Sequence, residues 1–464
     1  MTEINLTVIG GGSVNWMSRL MRDVYQVNEI DGGEIRLVDP QTEHVRAVAA
    51  MLEKFNEIRD KDYDILIIEN RKKALKDADF VMTTFSPGTM DAFWNDLEIP
   101  VKYGIRQPVS MTVGPSGISA ALRTAPIAYE IVEDMEEMCP GAWLLNVTNP
   151  MSVVTRAMNM AAETVKVVGM CHEFHAFPAY MGKILNLKKP ENMDVLTYLY
   201  EWLEEQGFEY TIAGLNHFIW LNRAELNGRD VITEIQQYCK ENKQLNQRNY
   251  PENGKGSNSY NYSGFVNFAL CRRFGYLPIV GDRHLIEFYP NLCNPNNGYG
   301  MKYGIKKTTV GSRRLGKVRK LEQIKKIAAG KEEVDWNSSG EEMVEIIRGI
   351  INDNPVKGIV NMPNQGQIEN LPEDVIVETL ATVSADGITP KSSGKLPGSV
   401  GSLCRLHADV HELTVEASLQ GDKDKFTEAL SLDPLSGGAD FSELGDLADE
   451  LLQANRKWLP RFFD

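Results

Sequence analysis

The chain has 464 residues, 42% hydrophobic and 24% charged, the make-up of a globular protein with room for two domains. Its net charge of −15 is spread along the chain, which disfavours nucleic acid or an anionic membrane as partner. Six scattered cysteines without a CxxC pair, no secretion-type start and no run near the roughly 18 apolar residues that span a bilayer point to a cytoplasmic protein with free thiols.

Residues 4–9 form a β-branched apolar run, read as a strand, and run at once into Gly10-Gly11-Gly12-Ser13-Val14-Asn15. The glycines allow a tight turn and let backbone N–H groups approach a pyrophosphate at the start of the next helix. Asn15 stands where the third glycine of the usual dinucleotide turn belongs, so the turn by itself is incomplete. Residues 34–40 read as a second strand carrying Asp39, the acid expected on the adenine ribose hydroxyls, which favours NAD+ over its phosphorylated form. Strands at 65–68, 80–84, 143–145 and 165–168, a helical stretch at 71–79 and a long helix near 120–138 continue a parallel βα alternation. This predicts a Rossmann-type doubly wound α/β sheet over residues 1–170. Gly10, Gly12, Ser13, Asp39, Thr84 and Asn146 are its candidate NAD+ contacts.

The strand near 143–145 ends in Asn146-Val147-Thr148-Asn149-Pro150, whose amides suit sugar hydroxyls, a ribose or a carboxamide. An Asx turn before a helix starting at Pro150 explains the same residues, and both readings can hold. The apolar run 167–170 ends in Cys171-His172-Glu173-Phe174-His175, and Cys with His is a soft ligand pair for a divalent transition metal. Alone, that pair reads as a buried thiol beside a surface imidazole. His217, in Gly214-Leu215-Asn216-His217-Phe218, changes the balance, because an imidazole between apolar flanks needs a partner. Cys171 and His217 together would leave several metal positions open for a substrate diol. Asp282-Arg283-His284-Leu285-Ile286-Glu287-Phe288 is a further polar knot, either a base with a carboxylate clamp or a salt-bridged helix start.

Together these segments resemble glycoside hydrolase family 4, the NAD- and Mn-dependent glycosidases. The likeness also takes in Val113-Gly114-Pro115-Ser116-Gly117, Ala121-Leu122-Arg123-Thr124-Ala125-Pro126 and Asn361-Met362-Pro363-Asn364-Gln365-Gly366-Gln367-Ile368-Glu369-Asn370-Leu371-Pro372, so it spans almost the whole chain. The resemblance implies a fold similar to lactate and malate dehydrogenases, with residues 171–464 as a mixed α/β domain for substrate, metal and oligomer contacts, and with NAD+ and Mn2+ or another divalent ion as cofactors. It implies hydride transfer from sugar C3, removal of the C2 proton beside the new ketone, elimination at C1, addition of water and return of the hydride. That route is an exception to the two-carboxylate glycosidase scheme. It implies Cys171 and His217 as metal ligands, Asn149 and Arg123 as sugar contacts, and Asp282 as base, with Tyr262 and Tyr276 as alternatives. His172 is the candidate acid and a further substrate contact, since imidazole donates a proton near neutral pH.

In this resemblance His after the metal cysteine marks unphosphorylated substrates, and Glu at the third position marks uronidase-like members. Cys171-His172-Glu173-Phe174 therefore implies an α-galacturonidase, with an α-glucuronidase next and α-galactosidase or α-glucosidase behind. A substrate carboxylate needs a cationic clamp, for which Arg106, Arg283, Arg313 and Arg314 are available. Glu173 would repel that carboxylate if it pointed inward. A homodimer or homotetramer is the implied assembly. The rival classes are an NAD-dependent 2-hydroxy acid dehydrogenase and a silent nucleotide-binding protein.

The remainder is less distinctive. Residues 240–262 are polar and turn-rich, as in a surface excursion, and 319–331 read as a basic, solvated helix face. His407 and His411, four apart on an expected helix at 401–419, read as packing residues. The aromatic end at 458–463 is expected to dock on the body of the protein or a neighbour.

Overall fold

Twelve strands join in one sheet in the computed structural model, which describes residues 2–242, 264–352 and 354–463. β1 (Thr2–Ile9) lies between β2 (Ile30–Val38) and β4 (Phe80–Thr83). β3 (Asp62–Ile67) flanks β2, and β5 (Trp143–Asn146) and β6 (Lys166–Gly169) extend the other side. All these pairs are parallel, giving the order 3-2-1-4-5-6 of a doubly wound nucleotide-binding sheet. Neighbouring residues serve opposite faces. Val8, Met82 and Leu145 pack under helices Met17–Val24, Thr42–Arg59 and Met343–Ile351, whereas Ile9, Val81 and Leu144 pack under Gly114–Met138 and Met151–Ala161. Strands covered on both faces must be apolar throughout, which is why they read as unbroken hydrophobic runs.

The sheet continues past β6 with the opposite polarity. β7 (Phe208–Leu215), β8 (Phe218–Leu226) and β9 (Arg229–Asp230) form a meander, and β10 (Val356–Pro363), β11 (Ile376–Ser384) and β12 (Gly387–Pro390) form another. β10 joins β6 antiparallel and β11 joins β7, so the full order is β3-β2-β1-β4-β5-β6-β10-β11-β7-β8-β9. One row of residues crosses the junction: Gly169 faces Asn361, Asn361 faces Glu378, and Glu378 faces Gly214. That row aligns the end of β6 with the β7–β8 turn. A separate large core, with Phe208, Trp220, Phe268, Phe288 and Cys404 buried in it, supports this half.

Several elements differ from expectation in extent. The helix expected at 71–79 is only Arg71–Leu75, capped by Asn70 and ended where Asp77 turns left-handed at φ 53°. The helix near 120–138 starts earlier, at Gly114, with Pro115 in its first turn, where a missing N–H costs nothing. The basic helix covers Val310–Ala328 and buries Leu321, Ile324 and Ile327, so one stripe of it is core. Helix Gly398–Gln420 buries both His407 and His411, and His407 Nε2 pairs with the Phe288 carbonyl at 3.1 Å. The tail docks on the body: Arg461 donates to the Leu419 carbonyl at 2.9 Å and to Glu130 at 3.0 Å. The expected excursion at 240–262 lies outside the described residues from 243 onward.

Glu342, at the start of the Met343–Ile351 helix, is buried and accepts the Tyr200 phenol hydrogen. Burial pushes its carboxyl from 4.5 up to about 8. The folded chain thus keeps a proton that the unfolded chain releases, a contribution complete below pH 4.5 and lost as pH rises through about 8. The urea midpoint of the wild type is expected to fall over that window. Glu342→Gln, which keeps an acceptor for Tyr200, is expected to make the fall shallower. An unchanged pH slope would remove Glu342 from the stability balance.

Candidate active site

The glycine turn closes on the next two strands. Gly10 has φ 93°, and a Cβ there would stand 2.3 Å from the Thr84 carbonyl oxygen, so only glycine fits. Thr84 Oγ1 donates to Ser13 Oγ at 3.3 Å, and the Gly12 N–H donates to Asp39 Oδ2 at 3.0 Å. Gly10, Gly12, Ser13, Asp39 and Thr84 are therefore brought together in one cradle of backbone and side chains. A Cβ on Gly12 would lie 2.9 Å from the Asp39 carboxylate, so the bare backbone is what leaves room there. Asn146 sits beside the cradle but is occupied internally. Its Oδ1 accepts from Thr83 and Thr148, and its Nδ2 donates to Thr155 at 2.9 Å. It shapes the loop that carries Asn149, whose buried Oδ1 lacks a hydrogen-bond partner among the described residues.

Cys171 follows β6 by two residues, and His217 is the second residue of the two-residue turn between β7 and β8. Cys171 Sγ lies 3.2 Å from His217 Nε2, although 46 residues separate them. His217 holds φ 62°, an uncommon conformation for a non-glycine residue and one that functional sites tend to retain. Thr112 Oγ1 meets the other ring nitrogen, Nδ1, at 2.8 Å. Burial, with His172 nearby, pushes His217 down to about 3, so its ring is neutral at ordinary pH. Burial also raises the Cys171 thiol, and the Glu378 and Glu173 carboxylates add to the rise. A neutral imidazole and a thiol short of a cation make a donor pair that a soft divalent ion suits. Among the described residues no third His, Cys, Asp or Glu closes a three-ligand group around it.

Carboxylates brace this pair. Glu378, facing Gly214 across the sheet, accepts from Asn216 Nδ2 at 3.2 Å and is pushed up to about 8 by burial. Glu173 turns away from open space: its Oε2 accepts the Gly281 N–H at 3.2 Å and its Oε1 lies 3.4 Å from His284 Nε2. The His284 ring lies 4.0 Å from the His217 ring, centroid to centroid. His172 Nδ1 is 3.0 Å from Glu341 Oε1, and its ring is 5.6 Å from Trp16 beyond the glycine turn. Burial lowers the His172 affinity for a proton, but the adjacent Glu341 outweighs it and leaves the ring above its usual range.

Two expected roles meet groups already committed elsewhere. Asp282 accepts from the Phe265, Val266 and Asn267 N–H groups at 2.9, 3.1 and 3.3 Å, capping helix Phe265–Phe274, so its oxygens serve a helix terminus and not an open pocket. Arg123 donates to Asp96, to the Ser119 carbonyl and to the Pro87 carbonyl, with its buried ion pair to Asp96 at 2.5 Å. Tyr276 follows the far end of the Phe265–Phe274 helix, and Tyr262 lies outside the described residues. Of the four arginines, Arg283 donates to the Pro108 carbonyl at 3.3 Å and Arg313 to Met111 Sδ at 3.0 Å, beside Thr112. Arg314 pairs outward with Asp91 at 2.8 Å, and Arg106 is half-buried with its carbonyl against Cys293. Sequence reasoning missed Thr112, Glu341 and Glu378. The first precedes a noted glycine motif by one residue, whereas the two acids carry no sequence signal.

The sheet order and the glycine turn define an α/β protein of the dinucleotide-binding type. Residues 5–187 match the Family 4 glycosyl hydrolase and residues 212–436 the Family 4 glycosyl hydrolase C-terminal domain. An alpha-galacturonidase from Thermoanaerobacterium saccharolyticum is 32% identical, over 98% of this chain and 97% of its own. A putative glucosidase from Bacillus subtilis superposes with a TM-score of 0.84 at 28% identity, covering 97% of this chain and 100% of that one. A 6-phospho-beta glucosidase from Thermotoga maritima, solved with manganese, NAD+ and glucose-6-phosphate, shares the fold at 23% identity and a TM-score of 0.75, over 98% and 99% of the two chains. The chain belongs to family 4 of the glycosyl hydrolases.

Asp282→Ala tests the cap against the base. Loss of a cap is expected to cost about 0.5–2 kcal/mol in urea unfolding. A variant that unfolds like the wild type while losing turnover would return Asp282 to the role of base.

Proposed function

We propose that this chain hydrolyses unphosphorylated α-glycosides, α-galacturonides foremost, by oxidation and re-reduction of the sugar around an elimination step. The observation that most supports this is the 3.2 Å approach of Cys171 Sγ to His217 Nε2 beside the glycine-turn cradle. Residues 1–170 hold the dinucleotide, and 171–464 hold the sugar, the metal and the contacts of a homodimer or homotetramer. NAD+ on the Gly10–Ser13 turn supplies a hydride acceptor, and Mn2+ or a similar ion on Cys171 and His217 supplies a Lewis acid for the sugar oxygens.

The chain's own groups then have distinct tasks. Asn149 offers its orphaned Oδ1 to a sugar hydroxyl. His172, held at Nδ1 by Glu341, delivers a proton to the leaving oxygen from its Nε2 side. Arg283 and Arg313, both bonded to the 107–113 loop, present positive charge to the sugar's C6 carboxylate. Glu173 does not oppose that carboxylate, because its own oxygens face Gly281 and His284. Arg123 keeps the Asp96 and Pro87 segments in place and stays out of the sugar pocket. No helix among the described residues is long and apolar enough to cross a membrane, and we place the enzyme in the cytoplasm, acting on small fragments.

The likeness to the alpha-galacturonidase of Thermoanaerobacterium saccharolyticum supports the uronide, and the manganese and NAD+ held by the Thermotoga maritima enzyme support the cofactors. 4-Nitrophenyl α-galacturonide is expected to turn over at least tenfold faster than the α-glucuronide, α-galactoside and α-glucoside, with solvent deuterium appearing at C2 of the product. Turnover confined to the two neutral sugars would discard the uronidase reading. Absence of deuterium at C2 during turnover would discard the elimination route. Treatment with EDTA is expected to stop turnover while NAD+ binding persists, and full activity without metal would remove the ion from the reaction.

A further inference from the structure

We propose that Thr112 is a positioning residue for the metal pair: its hydroxyl accepts the Nδ1–H of His217 and thereby keeps the Nε2 lone pair aimed at Cys171 and the ion. This rests on the reading of Cys171 and His217 as metal ligands. An imidazole carries its single ring proton on either nitrogen, and only the nitrogen without it can bind a cation. Nε2 is the atom 3.2 Å from Cys171 Sγ, so the proton belongs on Nδ1, where Thr112 Oγ1 waits at 2.8 Å. Both side chains are buried, at 5% exposure for Thr112 and 3% for His217, so water does not readily replace the hydroxyl.

The surroundings hold Thr112 where it is. A Cβ on Gly117 would lie 2.7 Å from the Thr112 carbonyl carbon, so a bare glycine lets the helix Gly114–Met138 close on the loop backbone. From the opposite side, the Glu287 carboxylate accepts the Val109 N–H at 2.6 Å and the Ser110 N–H at 3.1 Å. Ser110 adopts φ 65° under that clamp. Gln107 Nε2 donates to the Val113 carbonyl at 2.7 Å and closes the loop on itself. These linked contacts fix the backbone on both sides of Thr112, whose side chain meets the candidate ligand. Groups behind a ligating histidine set its tautomer and ring angle, and their loss weakens metal binding by about 10–100-fold.

The test is direct Mn2+ binding to the NAD+-loaded chain, read as free Mn2+ by electron paramagnetic resonance, for wild type, Thr112→Val and Thr112→Ser. Valine keeps the shape and removes the acceptor, and serine restores it. Thr112→Val is expected to raise the Mn2+ dissociation constant by about 10–100-fold, with Thr112→Ser within about threefold of wild type and NAD+ affinity unchanged in both. If the valine variant does not fold, as judged by lost NAD+ binding, Thr112→Ala is read in its place. Wild-type affinity in a folded Val or Ala variant overturns the proposal, as does a serine variant as weak as valine. Wild-type chain that takes up Mn2+ equally with Cys171→Ser and His217→Ala, or not at all, overturns the underlying ligand assignment as well.

Discussion

The row Gly169–Asn361–Glu378–Gly214 is the constraint on which the rest of this molecule depends. It welds a parallel nucleotide-type sheet to an antiparallel one with no break in the hydrogen-bond ladder. Register in a sheet is all or nothing, because a slip of one residue reverses every side chain. A single slipped pairing at β6–β10 or β11–β7 would carry the His217 turn away from Cys171. The Cys171–His217 pair thus meets across one continuous sheet.

Around that weld the interior is rich in acid. Glu173, Glu287, Glu342 and Glu378 are all nearly inaccessible, and burial raises each of them above its usual range. Buried carboxylates are costly unless bonded, and three of these tie a mobile kind of element to a rigid one. Glu173 binds the Gly281 turn, Glu287 binds the 107–113 loop, and Glu378 binds the Asn216 side of the hairpin turn. Because burial raises these carboxyls, they hold their protons to a higher pH than free acids do, and Glu173 and Glu378 lie close enough to Cys171 to raise its thiol too. His217 itself holds a left-handed backbone at the β7–β8 turn, a conformation uncommon outside glycine.

Much of the site was legible in the chain because each piece stands at a strand end with its own signature. Gly10 to Ser13 and Asp39 needed only a turn and a spacing, and both ends of the Cys–His pair showed as polar residues against apolar flanks. The cap made by Asp282 could not be read from the chain, because a carboxylate in a polar knot reads alike as a base or as a cap, and the contact appears only once the Phe265 helix is placed. The ion pair of Arg123 was equally hidden, since its partner Asp96 lies 27 residues away in an unremarkable helix. Thr112, Glu341 and Glu378 were silent because their contacts are with residues 105, 169 and 162 positions distant.

By itself the sequence determined the βα alternation, the bare glycine turn and the residue types able to ligate or to move protons, since these follow from local periodicity and side-chain chemistry. Tertiary structure alone decided which of those groups face one another, which carboxylate caps a helix, and which backbone or side-chain groups the arginines meet. The physical reason is that a donor's role depends on its partner's position to within a fraction of an ångström, and that distance is set by strand register and burial across the whole sheet.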